Sequence, residues 1–164
     1  MSDPHTQTKG QTEQLLEALV SRLQSHLGSE LVVELFPEQP AQYRLNHPVG
    51  AVLVAYGRST FGDSESTDAM FQSRHLVIRL TLVFRQLNGK DGAIGYLDRV
   101  RDCLSGWYAP HCDSACRPLN EHFIGQVQGL WQYCQDIGAR ATQLQAFGLP
   151  GGAPLTDIQF EEYP

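Results

Sequence analysis

RHLVIRLTLVFRQLNGKDGAIGYLDRVRDCLSGW, from Arg74 to Trp107, joins the strongest strand pattern of the chain to a clear helical pattern. Apolar side chains alternate along its first half, which predicts a strand over His75–Gln86 with one buried face. Asn88-Gly89 is a turn signal. Apolar residues then recur at helical spacing, which predicts a helix over Asp91–Ser105.

Shorter patterns predict the remaining elements. A stripe of leucines predicts a first helix over Thr12–Leu27. Runs of β-branched and aromatic residues predict four further strands, over Leu31–Phe36, Ala51–Tyr56, His122–Val127 and Leu130–Leu144. The last run also fits a helical stripe, but Gly138 would cost a helix about 1 kcal/mol and favours the strand. The order α-β-β-β-α-β-β predicts an α+β fold, with an antiparallel or mixed β-sheet packed against two main helices.

The chain has 164 residues, which is the length of one domain. We expect a disordered leader over residues 1–11, a single α+β domain over 12–147 and a flexible Gly/Pro-rich C-terminal extension over 148–164. The polar N-terminus lacks the apolar stretch of a signal peptide, and no apolar run reaches the roughly 18 residues of a membrane span. These features predict a cytoplasmic protein with no membrane contact and with reduced cysteines.

The charge balance disfavours nucleic acid as a direct partner. The chain carries 12 Lys and Arg against 18 Asp and Glu, a formal net charge of -6. Phosphate binding without sequence preference depends on Lys and Arg, and the sequence shows no basic stripe. A surface with few charges and many Gln, Ser and Thr residues is better suited to contact with other proteins.

Gly57–Ser73 is predicted to be a long loop, because it has no periodicity and lies between two strands. It contains three apolar residues, Phe61, Met70 and Phe71, that a fully solvated loop does not need. Two interpretations follow. The three residues either pack back onto the core or belong to an arm that becomes ordered against a partner.

No residue pattern indicates catalysis or a bound cofactor. The chain has no nucleophile elbow, no phosphate-binding P-loop and no dinucleotide fingerprint. The spacing of Gly89, Gly92 and Gly95 matches a phosphate-binding loop only loosely. Asp63, Glu65 and Asp68 are typical of a solvated acidic loop.

One cluster has the residue types of a zinc site: His111, Cys112, Cys116 and His122. It lacks the paired Cys-x2-Cys spacing that makes such a pattern specific, and a polar loop with ordinary thiols is the favoured interpretation. We therefore predict no metal. Cys103 and Cys134 are expected to be small core residues.

Several stretches resemble the Mu-like prophage family of small tail proteins, which is related in fold to the tail terminators of long-tailed phages. The resemblance is carried by QLLEALVSRL, GAVLVAYGRSTFG, the stretch from Arg74 to Trp107, and LWQYCQDI. It implies an α+β subunit of a hexameric ring that caps the tail tube, stops its polymerisation and joins it to the head-tail connector protein. It also implies assembly in the bacterial cytoplasm and residence in the virion tail. The chain departs from the pattern at the His111–Cys116 loop and in the C-terminal extension.

A ring needs contact surfaces, and the sequence offers two sets of interface candidates. One is a set of arginines on the predicted long strand and second helix: Arg79, Arg85, Arg99 and Arg101. The other is the apolar set Phe61, Met70 and Phe71. Two alternatives remain: a small-ligand-binding or enzymatic α+β domain that uses the cleft between the second helix and the sheet, and a zinc-stabilised interaction module.

Overall fold

A computed structural model describes residues 8–146 of the chain. Its elements are α1 (Gln11–Leu27), β1 (Val32–Leu35), a 3-10 turn (Pro40–Gln42), β2 (Gly50–Phe61), β3 (Phe71–Phe84), α2 (Ala93–Leu104), β4 (Arg117–Val127) and β5 (Leu130–Leu144). The predicted α+β fold and its element order are confirmed. Residues 1–7 of the predicted leader and all of the predicted extension 148–164 lie outside the described residues.

The five strands form one mixed sheet in the order β1-β2-β3-β5-β4. β1 runs parallel to β2, and the other neighbours are antiparallel. β3 lies at the centre, between β2 and β5, so the strand with the clearest sequence pattern is also the best covered by neighbouring strands. The strand interpretation of Leu130–Leu144 is confirmed residue for residue.

Both helices pack on the same face of the sheet, which we call the inner face. On β3 the inner face presents the predicted buried set, Leu76, Ile78, Leu80, Leu82 and Phe84. The leucines of α1 and the apolar stripe of α2 close over this set to form the main core. The ring of Phe84 stacks on that of Tyr96 from α2, with centroids 5.0 Å apart. We call the opposite face of the sheet the outer face.

The prediction of a loop over Gly57–Ser73 is wrong at both ends. β2 continues through Phe61 and β3 begins at Phe71, so only residues 62–70 connect the two strands. The side chains of residues 57–61 and 71–73 are polar or exposed on both faces, so no period-2 pattern marks these parts of β2 and β3. A shift of register between Tyr56 and Arg58, at Gly57, also interrupts the alternation.

β4 begins at Arg117, five residues before the predicted start at His122. This strand forms an edge of the sheet, and almost all of its residues are exposed. An edge strand of this kind has no buried face to create an alternating pattern. Two register shifts against β5 disturb the pattern further.

Candidate assembly surface

No helix among residues 8–146 covers the outer face of the sheet. The loop between β1 and β2 shields one end of this face, where it packs on a small second cluster of buried residues, Ala51, Leu53 and Val83. The rest of the face presents polar and charged side chains from β2, β3, β5 and β4. Within the described part of the chain, most of this face is therefore not packed against another element.

An ion pair lies in the middle of the outer face. The guanidinium of Arg79 donates two hydrogen bonds to the carboxylate of Asp136, at 2.9 and 3.1 Å. These bonds hold the pKa of Asp136 below its usual range, against the opposing effect of burial. The Asp136 side chain is 8% exposed, whereas that of Arg79 is 50% exposed. Arg79 therefore satisfies a buried carboxylate and still presents part of its guanidinium to the outside.

The other predicted interface arginines also have partners within the chain. Arg85 donates to the carbonyl oxygens of His47 and Leu45, at 2.8 and 3.0 Å. Arg99 on α2 forms a two-point ion pair with Glu30, in the turn after α1. These pairings are not predictable from the sequence, because the partners are distant along the chain. A role for these arginines in contacts between subunits stays a prediction.

Arg101 joins α2 to the edge strand β4. Its guanidinium donates to Glu121 of β4 at 2.7 Å and also pairs with Asp98, one turn earlier on α2. The same Glu121 carboxylate accepts a bond of 3.0 Å from the buried amide of Gln135 on β5. The predicted interface residue Arg101 is therefore part of the contact between α2 and the last two strands.

The predicted apolar residues of the long connection are exposed at the far end of the β2–β3 hairpin. Phe61, Met70 and Phe71 are 53%, 46% and 39% exposed. Phe71 lies opposite Leu144 of β5, which is 58% exposed. We call Phe61, Met70, Phe71 and Leu144 the hairpin end. Of the two interpretations of these residues, packing back onto the core is wrong, and contact with a partner stays a prediction.

A cavity of about 270 Å³ opens on the outer face near the β1–β2 loop. Phe36, Tyr43, Val83 and Leu130 are among the residues that line it. This cavity is not predictable from periodicity, because its walls come from four separate segments. The proline and aromatic residues of FPEQPAQY, residues 36–43, were the one available signal.

A second cavity of about 260 Å³ lies towards the opposite end of the outer face. Arg58, His75, Arg117 and Arg140 line it, and we call these four residues the basic pocket. They lie on four strands and meet through strand register, with His75 opposite Arg140 and both Arg58 and Arg117 close to the Val77–Gly138 pair. A linear sequence cannot show this convergence, because it arises from strand register.

The charges of the basic pocket are only partly neutralised. Arg140 donates to Asp113 at 2.8 Å, and that bond holds the pKa of Asp113 below its usual range. Within residues 8–146, the side chains of Arg58 and Arg117 form no ion pair and no hydrogen bond. In an acidic protein, two unpaired arginines beside a cavity give this part of the surface a local positive charge.

The candidate metal ligands do not form a cluster. Within residues 8–146, no three His, Cys, Asp or Glu side chains are placed to hold one ion. His111 lies 2.7 Å from the amide oxygen of Gln14, and His122 lies on β4 opposite Cys134. Burial raises the pKa of Cys112 to about 11 and also raises that of Cys116, so both are thiols rather than thiolates at neutral pH. Cys103 and Cys134 are buried, as predicted.

The cleft proposed for a small ligand, between α2 and the sheet, is filled by side chains. Tyr96, Leu97 and Val100 are buried there against the inner face. The amide of Gln135 donates a hydrogen bond of 3.0 Å to the carbonyl oxygen of Leu97.

None of the helices in residues 8–146 is long and apolar enough to cross a membrane.

A family model described as Gp37 protein matches residues 19–162. The chain belongs to the Gp37 protein family. The match includes most of the C-terminal extension, so that segment is part of the Gp37 pattern. The narrower assignment to Mu-like prophage small tail proteins stays a prediction. No curated protein matches the sequence significantly.

Among solved structures, this Gp37-family fold is similar to a chain from the virion of a native gene transfer agent particle. The TM-score is 0.51 at 13% sequence identity, and the similarity covers 80% of this chain and 97% of the other. At this identity the similarity establishes the shared fold.

Proposed function

We propose that this Gp37-family chain is a structural protein of a phage or phage-derived virion and has no enzymatic role. The observation that carries the proposal is the similarity of its fold to nearly the whole of a chain from a gene transfer agent virion. The outer face adds physical support. It is open, and it carries a basic pocket and an exposed apolar end, which are features of a surface for protein contact.

Within the virion, we assign the chain to tail completion. It caps the tail tube as a terminator, stops tube polymerisation and joins the tube to the head-tail connector protein. Its partners are copies of itself in a hexameric ring, the tube protein and the connector. It makes no direct contact with nucleic acid and needs no cofactor. It assembles in the bacterial cytoplasm and remains in the virion tail.

The geometry of the subunit suits a closed ring. In a ring, one patch of each subunit contacts a different patch on the next. The hairpin end has three exposed apolar side chains, Phe61, Met70 and Phe71, that a neighbour can cover. The half-exposed guanidinium of Arg79 lies on the open face that receives such a contact.

The free subunit is expected to be monomeric at low concentration. The exposed apolar residues of the hairpin end are few, and an interface that small is weak by itself. A tube end would present several copies side by side and so raise their effective concentration. Light scattering across a concentration series should show a monomer that gives way to a ring.

Deletion of the gene from its own genome tests the proposal. Particles made without the chain should have tails of uncontrolled length that fail to join heads, as measured by negative-stain electron microscopy. Expression of the wild-type chain from a plasmid should restore uniform tails. Tails of normal length in the deletion would exclude the terminator role.

A further inference from the structure

The basic pocket has two features that a site for an acidic, apolar peptide needs. The first is unpaired positive charge, supplied by Arg58 and Arg117. The second is an apolar floor. Val77 lies in this floor, and Leu119 packs over Gly138, where an added Cβ would lie 2.9 Å from the leucine methyl groups. Leu119 is nevertheless 42% exposed, so its outward side is free for contact.

The C-terminal residues of the chain have the complementary composition. Residues 155–164, LTDIQFEEYP, carry Asp157, Glu161 and Glu162 and contain no Lys or Arg. The acidic residues alternate with apolar ones, among them Ile158 and Phe160. A segment of this kind supplies carboxylates to the guanidinium groups and apolar side chains to the floor.

The chain length outside the described residues allows the two to meet. The described part ends at Ala146, six residues beyond Arg140 of the basic pocket, a distance of about 20 Å along a strand. Residues 147–154, FGLPGGAP, span at most about 28 Å when extended. A linker of this length is long enough for residues 155–164 to reach the basic pocket.

We propose that the basic pocket is a binding site for an acidic apolar peptide, and that its occupant is residues 155–164 of the same copy of the chain. Carboxylates of Glu161 and Glu162 pair with Arg58 and Arg117, and Phe160 packs on Leu119. This pairing depends on charge and chain length and not on the terminator role.

A photo-crosslinking experiment on the full-length chain tests the site. A benzophenone amino acid takes the place of Phe160, and crosslinked peptides are mapped by mass spectrometry after illumination. The crosslinks should fall on peptides containing Arg58 or residues 114–119, within the monomer band of a denaturing gel. Crosslinks in a dimer band would assign the segment to a second copy, and crosslinks spread over other surfaces would assign it to no site. Either outcome overturns the proposal.

Charge variants make the test specific. The double variant R58E/R117E should lower the crosslink yield at the pocket about tenfold, because two exposed ion pairs become repulsions. The control R44E/K90E changes the net charge equally at exposed residues outside the pocket and should leave the yield unchanged. Equal yields in the two variants would contradict the assignment.

A charge swap and a salt titration complete the experiment. Adding E161R/E162R to the R58E/R117E variant should restore the yield, because the pairs form again with opposite sign. Raising the salt to about 1 M, where the Debye length is about 3 Å, should lower the wild-type yield. Thermal unfolding should show that all variants are folded, since Arg58 and Arg117 have no partner within residues 8–146. A folded swap variant that fails to regain the crosslink would contradict the charge pairing.

Discussion

The inner and outer faces of the central strand β3 share one backbone but differ in how their side chains are stabilised. On the inner face, Leu80, Leu82 and Phe84 are fully buried beneath two helices. On the outer face, Arg79 satisfies the buried carboxylate of Asp136, and no helix among residues 8–146 packs on the surface around it. The apolar core therefore lies mainly on the inner face, whereas the middle of the outer face is stabilised by a polar pair.

The largest difference between the faces should appear when the same substitution is made on each. Phe84→Ala removes a fully buried ring that stacks on Tyr96, and should lower the free energy of unfolding by about 3–5 kcal/mol. Phe71→Ala, on the same strand but exposed at the hairpin end, should cost less than about 1 kcal/mol. Urea denaturation of both variants measures the difference. Similar losses of unfolding free energy in the two variants would mean that the buried ring of Phe84 does not stabilise the fold more than the exposed ring of Phe71.

A smaller effect should follow from breaking the ion pair of the outer face. Arg79→Met leaves the carboxylate of Asp136 buried without its main partner, and should lower the free energy of unfolding by about 1–3 kcal/mol. Replacing both members, in Arg79→Met/Asp136→Leu, should recover a large part of that loss. If the single variant is as stable as wild type, the pair does not stabilise the open face.

The same pair predicts a dependence on acid. The hydrogen bonds from Arg79 lower the pKa of Asp136 in the folded state. A group with a lowered folded pKa stabilises the protein fully above its unfolded pKa, near 3.8, and loses this contribution as the pH falls through the folded pKa. The stability gap between wild type and Asp136→Asn should therefore close below about pH 4. A gap that is constant from pH 7 to pH 3 would contradict the assignment.

The smallest effect is expected at Arg58, which lies on the outer face but has no partner within residues 8–146. Arg58→Met should change the free energy of unfolding by no more than about 0.5 kcal/mol. It is a matched control for Arg79→Met, because the substitution and the face are the same. A loss as large as that of Arg79→Met would reveal a stabilising contact of Arg58.

Periodicity accounts for most of what the sequence predicts correctly. The leucine stripe of α1 and the alternation from Leu76 to Phe84 arise from burial on one face, and burial is what a hydrophobic pattern records. The strand structure of residues 57–61, 71–73 and 117–121 is not predictable from periodicity, because their side chains are polar or exposed on both faces. Their strand structure depends on main-chain pairing with β3 and β5, which leaves no mark on composition.

The candidate site was predictable only where a residue is unusual in its own sequence context. Phe61, Met70 and Phe71 stand out as apolar residues in a polar stretch, and the structure exposes them. Arg99 and Arg101 look like free charges in sequence, but their partners Glu30 and Glu121 come from other elements. Such pairings depend on the tertiary arrangement, which a single sequence does not specify.

The most direct test of assembly through the hairpin end is complementation of the gene deletion with two matched variants. One carries Phe61→Ser and Phe71→Ser at the hairpin end. The other, which we call the helix-side variant, carries Ile94→Ser in α2 and Tyr108→Ser in the loop after it, and both replaced side chains are large and exposed. Tail lengths are measured by electron microscopy. The helix-side variant should restore tails of uniform length, and the hairpin-end variant should leave them uncontrolled. Uniform tails with the hairpin-end variant would contradict the account.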